Sequence, residues 1–227
     1  MQQTSFTRRT ADFVLVCCAL KQEVAPFRRA GGDRPGVSIL VTGIGRQNAE
    51  GSLRKFLVGH LPKQVFTCGF AGGLNPELKL GDVIFELSAA ETPSAVHDLQ
   101  SKLIAAGAKP VNFFCADRIA ITVAEKKRLR QETGADAVEM ESAAIHAVCR
   151  THCVPCATVR AISDVADVDL PLDFNRLAKP DRSLDYGKLL LALATTPQKT
   201  SALMTLRTNA TLAAGRLAAV LAAVICP

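Results

Sequence analysis

The sequence lacks tryptophan, has a single tyrosine and contains only 5% aromatic residues in its 227 positions. Aromatic side chains are the platforms on which single-stranded nucleic acids stack. The 27 lysines and arginines are dispersed along the chain rather than clustered on one element. We therefore interpret the net charge of +6 as a solvated basic surface and expect no nucleic-acid partner. An anionic membrane surface remains a second explanation of the charge.

Long uncharged apolar runs are also missing. No stretch of 18 apolar residues without a charge occurs, so we expect no membrane-spanning helix. The apolar segment Phe13–Leu20 is short and is followed by Lys21 and Glu23, which predicts a first strand rather than a signal peptide. With no sign of export, we expect the eight cysteines to be reduced thiols in a cytoplasmic protein.

Three of the cysteines have the spacing of an iron–sulfur site, C-x3-C-x2-C, at Cys149, Cys153 and Cys156. The context argues against a cluster, because Cys149 continues a helical pattern and Cys156 begins a strand. Four aspartates between positions 164 and 173 lack the glycine and the terminal glutamate of a calcium-binding EF-hand loop. We therefore expect no metal ion.

Apolar runs of strand length alternate with amphipathic stretches of helix length. Several strand segments are apolar almost throughout, as is typical of strands covered on both faces. The alternation predicts an α/β fold: one domain over residues 1–227, in three layers, with a mixed, largely parallel twisted sheet flanked by helices. The predicted strands are Phe13–Leu20, Val37–Thr42, Gln64–Cys68, Asp82–Leu87, Val111–Cys115, Ala135–Met140 and Ala157–Ile162, and the predicted helices are Gln22–Ala30, Arg46–His60, Ser94–Ala106, Val123–Thr133 and Glu141–His152.

The two ends of the chain depart from this alternation. Residues 1–11 are expected to be flexible. Residues 164–180 are predicted to form a loop, and two C-terminal helices, Ser183–Thr195 and Gln198–Ile225, are predicted to follow it. The apolar face of the last helix favours packing on the core or in an oligomer, and contact with a membrane stays open as the alternative.

Two glycine-rich turns are predicted where strands end, at the sheet edge at which open α/β folds bind ligands. One is Gly43–Gly45 and the other is Cys68–Leu74. Glycines there let a ligand approach the backbone closely. Asn48 stands where the third glycine of a dinucleotide fingerprint would be, so no dinucleotide cofactor is expected.

Three carboxylates, those of Glu23, Glu141 and Asp164, follow strands at comparable positions. Each has an ordinary structural role in isolation, since acids cap turns and complement the dipole at the first turn of a helix. Three acids at one edge of a sheet, beside two glycine turns, instead indicate a site for acid–base chemistry.

The segments that carry these features, taken together, resemble the nucleoside phosphorylase superfamily. They are most similar to its 5′-methylthioadenosine/S-adenosylhomocysteine nucleosidase branch. A further similarity, in positions 117–119, 124–126 and from 179 through the last helix, is to the hopanoid-associated phosphorylase subfamily, which is thought to release adenine from adenosylhopane. The superfamily motifs are Ala19–Val24, Gly43–Gly45, Cys68–Asp82, Ala137–Ile145 and Arg160–Asp167.

The resemblance implies cleavage of the N-glycosidic bond of a purine nucleoside. Asp164 would be the acid that protonates the departing purine, as an acid does in glycoside hydrolysis, and Glu23 would activate water on the opposite side of the sugar. Glu141 would grip the ribose hydroxyls. The remaining substrate-binding residues that it implies are Phe70, Ala71, Gly72, Ile119, Met140 and Ser163.

Two features favour water over phosphate as the nucleophile. Phe70 stands where relatives often carry Ser or Thr, and Glu23 stands where many phosphorylases place a basic residue. A phosphate would be repelled by a neighbouring carboxylate.

No cofactor is expected, although phosphate stays open as a co-substrate. A purine nucleoside phosphorylase and a methylthioadenosine nucleosidase stay as alternatives. Phe70 and Ile119 also allow a nucleoside-binding protein without turnover.

The segment between Leu87 and Val111 is short for a methylthioadenosine nucleosidase, whose residues there help to enclose the 5′ substituent. A shortened segment predicts an open end of the pocket and therefore a bulky or lipidic 5′ group. Ile119 stands where nucleosidases of this branch carry a stacking aromatic residue, so it offers the purine an apolar face only. We expect a homodimer.

Overall fold

A computed structural model describes residues 11–87, 93–177 and 199–226 of the chain. The expectations for residues 1–10 and for the helix Ser183–Thr195 lie outside these ranges. The described residues form eight strands and seven α-helices, which alternate along the chain as the hydrophobic pattern predicts.

The strands belong to a single mixed sheet with the order β2-β1-β3-β8-β4-β5, to which β7 is joined through β3 and β6 through β7. Most neighbouring strands are parallel, but β4 runs antiparallel to β8, and β7 runs antiparallel to β3. The strands are β1 (Ala11–Cys18), β2 (Val37–Val41), β3 (Pro62–Gly73), β4 (Val83–Leu87), β5 (Lys109–Pro110), β6 (Phe113–Cys115), β7 (Ala137–Glu139) and β8 (Cys156–Asp164).

Helices cover both faces of this sheet, as the three-layer prediction requires. One face carries α1 and α7, and the other carries α2 and α5. The helices are α1 (Lys21–Phe27, followed by a π-helical turn, Arg28–Gly32), α2 (Arg46–Leu57), α3 (Pro93–Ala105), α4 (Val123–Thr133), α5 (Ser142–Thr151), α6 (Phe174–Leu177) and α7 (Lys199–Ile225).

The first strand shows why the central strands are apolar throughout. Leu15 and Cys17 belong to the core cluster of α2 and α5, whereas Val16 and Cys18 belong to the cluster of α1 and α7. Successive side chains on a strand point to opposite faces, so a strand that is covered on both faces needs apolar residues at every position. All eight cysteines are free thiols.

The second predicted glycine turn is not a turn. The strand β3 continues through it to Gly73, pairing with β8 up to Gly72 and then with β7. Similarly, β8 runs on to Asp164, and the predicted loop 164–180 contains the short helix α6. The glycines therefore mark a close approach to the strand rather than a reversal of the chain.

The last helix packs on the sheet through its C-terminal half. Leu217 and Leu221 are buried in the core cluster of α1 and α7, whereas Met204 and Leu212 in the N-terminal half are exposed. By length and composition alone, Ser201–Ile225 could cross a membrane, a test that buried core helices also pass. The burial of its C-terminal half supports the core-packing alternative.

Candidate active site

The carboxylate of Glu23 lies where β1, α1 and β3 meet. Glu23 is in the first turn of α1, and its Oε2 accepts a hydrogen bond from the backbone N–H of Leu20 at 2.7 Å. Its Oε1 accepts one from the N–H of Phe70 at 3.0 Å. Burial raises the pKa of Glu23, while the nearby Arg160 and the backbone donors oppose the rise. A buried carboxylate with a raised pKa is suited to act as a general base near neutral pH.

Gly69 allows this carboxylate to meet Arg160 above β3. A Cβ atom at position 69 would lie 2.5 Å from Nη1 of Arg160 and 2.6 Å from Oε1 of Glu23. Any other residue would displace one of the two groups, and the φ of +151° at this position also favours glycine. The glycine segment therefore makes room for protein side chains as well as for a ligand.

Arg160 is buried and connects several groups of the site through its guanidinium. Its side chain is 1% exposed, and its Nη2 donates to Oε2 of Glu139 at 2.7 Å and lies 3.4 Å from Oε2 of Glu141. Further bonds run from Nη1 to the carbonyl of Cys68 at 2.9 Å and from Nη2 to Oγ1 of Thr67 at 3.1 Å. A buried guanidinium of this kind orients the surrounding carboxylates and favours their charged form.

Glu139 and Glu141 differ in their electrostatic surroundings. Burial works against the charged form of Glu139, but Arg160 and hydrogen bonds from Ser142 outweigh it and hold its pKa below the ordinary value. Burial raises the pKa of Glu141 to about 7, opposed by Arg160 and reinforced by Glu139. Oε1 of Glu141 also accepts a hydrogen bond from the N–H of Gly45 at 2.8 Å. The first glycine turn thus holds the carboxylate that the resemblance assigns to the ribose.

The predicted acid, Asp164, lies at the end of β8 and is only 15% exposed. Oγ of Ser163 donates to its Oδ1 at 3.0 Å. Its Oδ2 lies 2.7 Å from Nζ of Lys126, a fully buried lysine of α4. A Cβ at Gly72 would lie 3.1 Å from Oδ2, so Asp164, like Glu23, stands over a glycine of β3.

The two predicted catalytic carboxylates stand over different glycines of β3. Glu23 lies next to the Cβ position of Gly69, and Asp164 lies next to that of Gly72. The two glycines are three residues apart, about 10 Å along the strand.

The remaining predicted residues take less direct positions. Ala71 is buried in a core cluster, so only its backbone is available to a ligand. The side chain of Phe70 packs against the core cluster of α1 and α7, and Met140 is half-buried between Glu139 and Glu141. Ile119 lines a cleft of about 400 Å³ beside α4, which none of the predicted acids lines.

Asn175 of α6 occupies both polar backbone groups of Ile119. The N–H of Ile119 donates to Oδ1 of Asn175 at 2.9 Å, and Nδ2 of Asn175 donates to the carbonyl of Ile119 at 2.9 Å. A carboxamide thus pairs with the backbone of a residue that was predicted to contact the purine.

The sequence predicts roles for Glu23, Glu141, Ser163 and Asp164 but none for Arg160, Glu139, Lys126 or Asn175. A signal for Arg160 was available, since a charged residue within an apolar strand covered on both faces requires a counter-charge. No comparable local signal marks Lys126 or Asn175.

Within residues 11–87, 93–177 and 199–226, no group of three or more His, Cys, Asp or Glu side chains could hold a metal ion.

Comparison with known proteins identifies the family of the chain. The sequence model of the Phosphorylase superfamily matches residues 27–110 and 89–225. The chain is 28% identical, over 67% of its length and 79% of the relative's, to the 5′-methylthioadenosine/S-adenosylhomocysteine nucleosidase of Shewanella halifaxensis. It is 29% identical to the enzyme of the same name from Glaesserella parasuis, over 61% of the chain and 72% of that relative.

Solved structures share the fold. The nucleosidase of the same name from Helicobacter pylori, bound to butyl-thio-DADMe-Immucillin-A, superposes with a TM-score of 0.69 at 19% identity, over 96% of this chain and 99% of that one. Futalosine hydrolase of Helicobacter pylori gives a TM-score of 0.67 at 18% identity, over 95% and 97% of the two chains. The chain belongs to the phosphorylase superfamily and has its α/β fold.

Proposed function

We propose that the protein is an N-glycosidase that releases the base of a purine nucleoside by attack of water on the sugar. The named relatives are nucleosidases, which supports this class of reaction. In the proposed mechanism the C1′–N bond breaks with its electron pair passing to the purine. Asp164 donates a proton to the departing base, and Glu23 accepts a proton from the water that attacks C1′. The Glu141 carboxylate accepts hydrogen bonds from the ribose hydroxyls.

The charge of the Glu23 region is the observation that carries the choice of water. Glu23, Glu139 and Glu141 are all buried around the single guanidinium of Arg160. Three carboxylates against one cation make this region unfavourable for a phosphate anion and favourable for a neutral nucleophile. The other candidate for a phosphate contact, Arg46, donates to the carbonyl of Cys115 and pairs with Asp117.

A bound water would also complete the hydrogen bonding of Arg160. Its Nε is the one buried side-chain nitrogen or oxygen of the described residues that lacks a hydrogen-bond partner. Buried polar atoms are rarely left in this state, and ordered water usually satisfies them.

The base that we propose is adenine, following the relatives' names. The backbone of Ile119 would recognise it in place of Asn175, because N1 and the 6-amino group of adenine present an acceptor beside a donor, as the carboxamide does. Hypoxanthine presents the opposite order, with a donor at N1 and an acceptor at its 6-oxo group. The 5′ group that we propose is a bulky or lipidic one of the adenosylhopane type, with methylthioadenosine as the second candidate on the strength of the relatives.

Base release tests this proposal. Adenosine, inosine, methylthioadenosine and an adenosine with a long apolar 5′ chain are each incubated with the enzyme, and the free base is quantified. Asp164→Asn is expected to lower kcat by at least ~10²-fold with little change in ligand binding, and Glu23→Gln to lower kcat similarly. Arg54→Met, on the exposed side of α2, is the matched control. Binding of nucleosides without any base release would instead identify a nucleoside-binding protein.

The same panel decides the 5′ group. Burial of each methylene contributes about 0.8 kcal/mol, so a long apolar chain that contacts the protein is expected to raise kcat/KM above that of methylthioadenosine. A tenfold preference for methylthioadenosine would overturn the lipid proposal and leave the nucleosidase proposal intact.

A further inference from the structure

Lys126 is an unusual residue for the place it occupies. It is fully buried and is the only buried residue of α4. Burial of an ammonium group is costly unless the group is paired, and an aliphatic side chain of the same length would fill the space without that cost. The charge at this position therefore calls for an explanation beyond packing.

All three N–H donors of the Lys126 ammonium have a partner. Nζ donates to the carbonyl of Val165 at 2.7 Å and to that of Val168 at 3.0 Å, and it lies 2.7 Å from Oδ2 of Asp164. Ser163 donates to the other oxygen of the same carboxylate. The orientation of Asp164 is thus fixed from both oxygens, and a full positive charge adjoins one of them.

We propose that Lys126 is a positioning residue for the departure of the base, a proposal that rests on the proposed function. Asp164 and Lys126 form an ion pair in the resting structure, so Asp164 first takes up a proton from solvent; that proton then moves to a ring nitrogen of the purine while the C1′–N electron pair passes to the base. Asp164 is left as a carboxylate, and the Lys126 ammonium, which keeps its own proton throughout, stabilises the negative charge that forms. This stabilisation grows as the bond breaks, so it lowers the barrier rather than tightening substrate binding.

A leaving group that needs no proton separates this role from a structural one. p-Nitrophenyl β-D-ribofuranoside releases p-nitrophenolate, an anion stable enough to depart unaided, so its cleavage still requires Glu23 and Glu141 but not proton donation. Lys126→Met is expected to lower kcat for the purine nucleoside at least ~10²-fold, within the usual range of general acid catalysis. Its kcat for the nitrophenyl riboside is expected to stay within about threefold of the wild-type value, and KM for the nucleoside to change little.

Three further variants complete the test. Lys126→Arg restores the positive charge and is expected to recover part of the nucleoside activity. Lys126→Gln keeps donors for the carbonyls of Val165 and Val168 but has no charge, and it is expected to behave as Lys126→Met does; it serves if the methionine variant does not fold. Lys127→Met, at the exposed neighbouring position of α4, is expected to match the wild type on both substrates.

Two outcomes overturn the inference. Equal loss on both substrates in Lys126→Gln would show that the lysine only holds the loop that follows Asp164, and wild-type nucleoside activity in that variant would show no role at all. Asp164→Asn keeps the two proposals apart. If Asp164→Asn is impaired on the nucleoside while Lys126→Gln is not, only the inference fails; if Asp164→Asn is itself fully active, the proposed acid is wrong.

Discussion

Replacement of Arg160 by methionine is expected to destabilise the fold strongly. The guanidinium is 1% exposed, and the change removes its bonds to Cys68 and Thr67 and its ion pairs with Glu139 and Glu141. Breaking a buried pair by removing one partner costs roughly 3–5 kcal/mol, because a charge is left uncompensated. The free energy of unfolding of a domain is about 5–15 kcal/mol, so the variant is expected to be marginally stable.

The loss of stability should depend on pH. Arg160 lowers the pKa of Glu23, Glu139 and Glu141, so its removal raises the pKa of all three in the folded state. Above neutral pH these carboxylates would be buried and charged, whereas at lower pH each takes up a proton and the repulsion disappears. The difference in unfolding free energy between wild type and Arg160→Met should therefore be largest near pH 8 and decrease toward pH 5.

Urea unfolding followed by circular dichroism at pH 8 and pH 5.5 measures this difference. The double variant Arg160→Met, Glu139→Gln removes one of the stranded charges and is expected to regain part of the stability at pH 8. Arg54→Met breaks an exposed pair with Glu50 and should cost no more than about 1 kcal/mol at either pH. A loss in Arg160→Met that is small, or equal at both pH values, would refute the electrostatic role given to Arg160.

Three further results are expected. Because the pKa of Glu141 is about 7 and only the carboxylate accepts hydrogen bonds from both ribose hydroxyls, KM should rise as pH falls below 7, and Glu141→Gln should show a higher KM without this dependence. Asn175→Ala should lower KM by up to about 30-fold, since two competing hydrogen bonds of roughly 1 kcal/mol each no longer need to be broken; an unchanged KM would mean that the base does not use the backbone of Ile119. Leu217→Ala should cost about 2–5 kcal/mol of unfolding free energy and Leu212→Ala less than about 0.5 kcal/mol, and equal small effects in thermal unfolding would contradict the packing of α7 on the core.

The alternation of the fold was predictable because it is a local property of the sequence. The strand β1 illustrates this, since burial on both of its faces leaves an uninterrupted apolar run from Phe13 to Ala19. The long strand β3 was not predictable in the same way. Gly69, Gly72 and Gly73 suggest a turn, but they lie in a strand. A Cβ atom would collide with Arg160 and Glu23 at Gly69 and would press on Asp164 at Gly72.

The residues of the site likewise fall into those that the local sequence predicts and those that it does not. The carboxylates Glu23, Glu141 and Asp164 could be found because each directly follows or ends a strand in a motif with family resemblance. Lys126 and Asn175 reach the site only through packing, from α4 onto the loop after β8 and from α6 onto the segment after β6. Contacts of this kind depend on how distant segments of the chain are brought together, so the local sequence pattern does not predict them.

The identity of the sugar product shows whether water or phosphate attacks C1′. The enzyme is incubated with its best nucleoside substrate with and without inorganic phosphate, and the products are followed by proton and phosphorus NMR. Water activated by Glu23 predicts free ribose, or its 5′-substituted form, at a rate that does not depend on phosphate. A sugar 1-phosphate as the main product, formed at a rate that rises with phosphate concentration, would contradict the account.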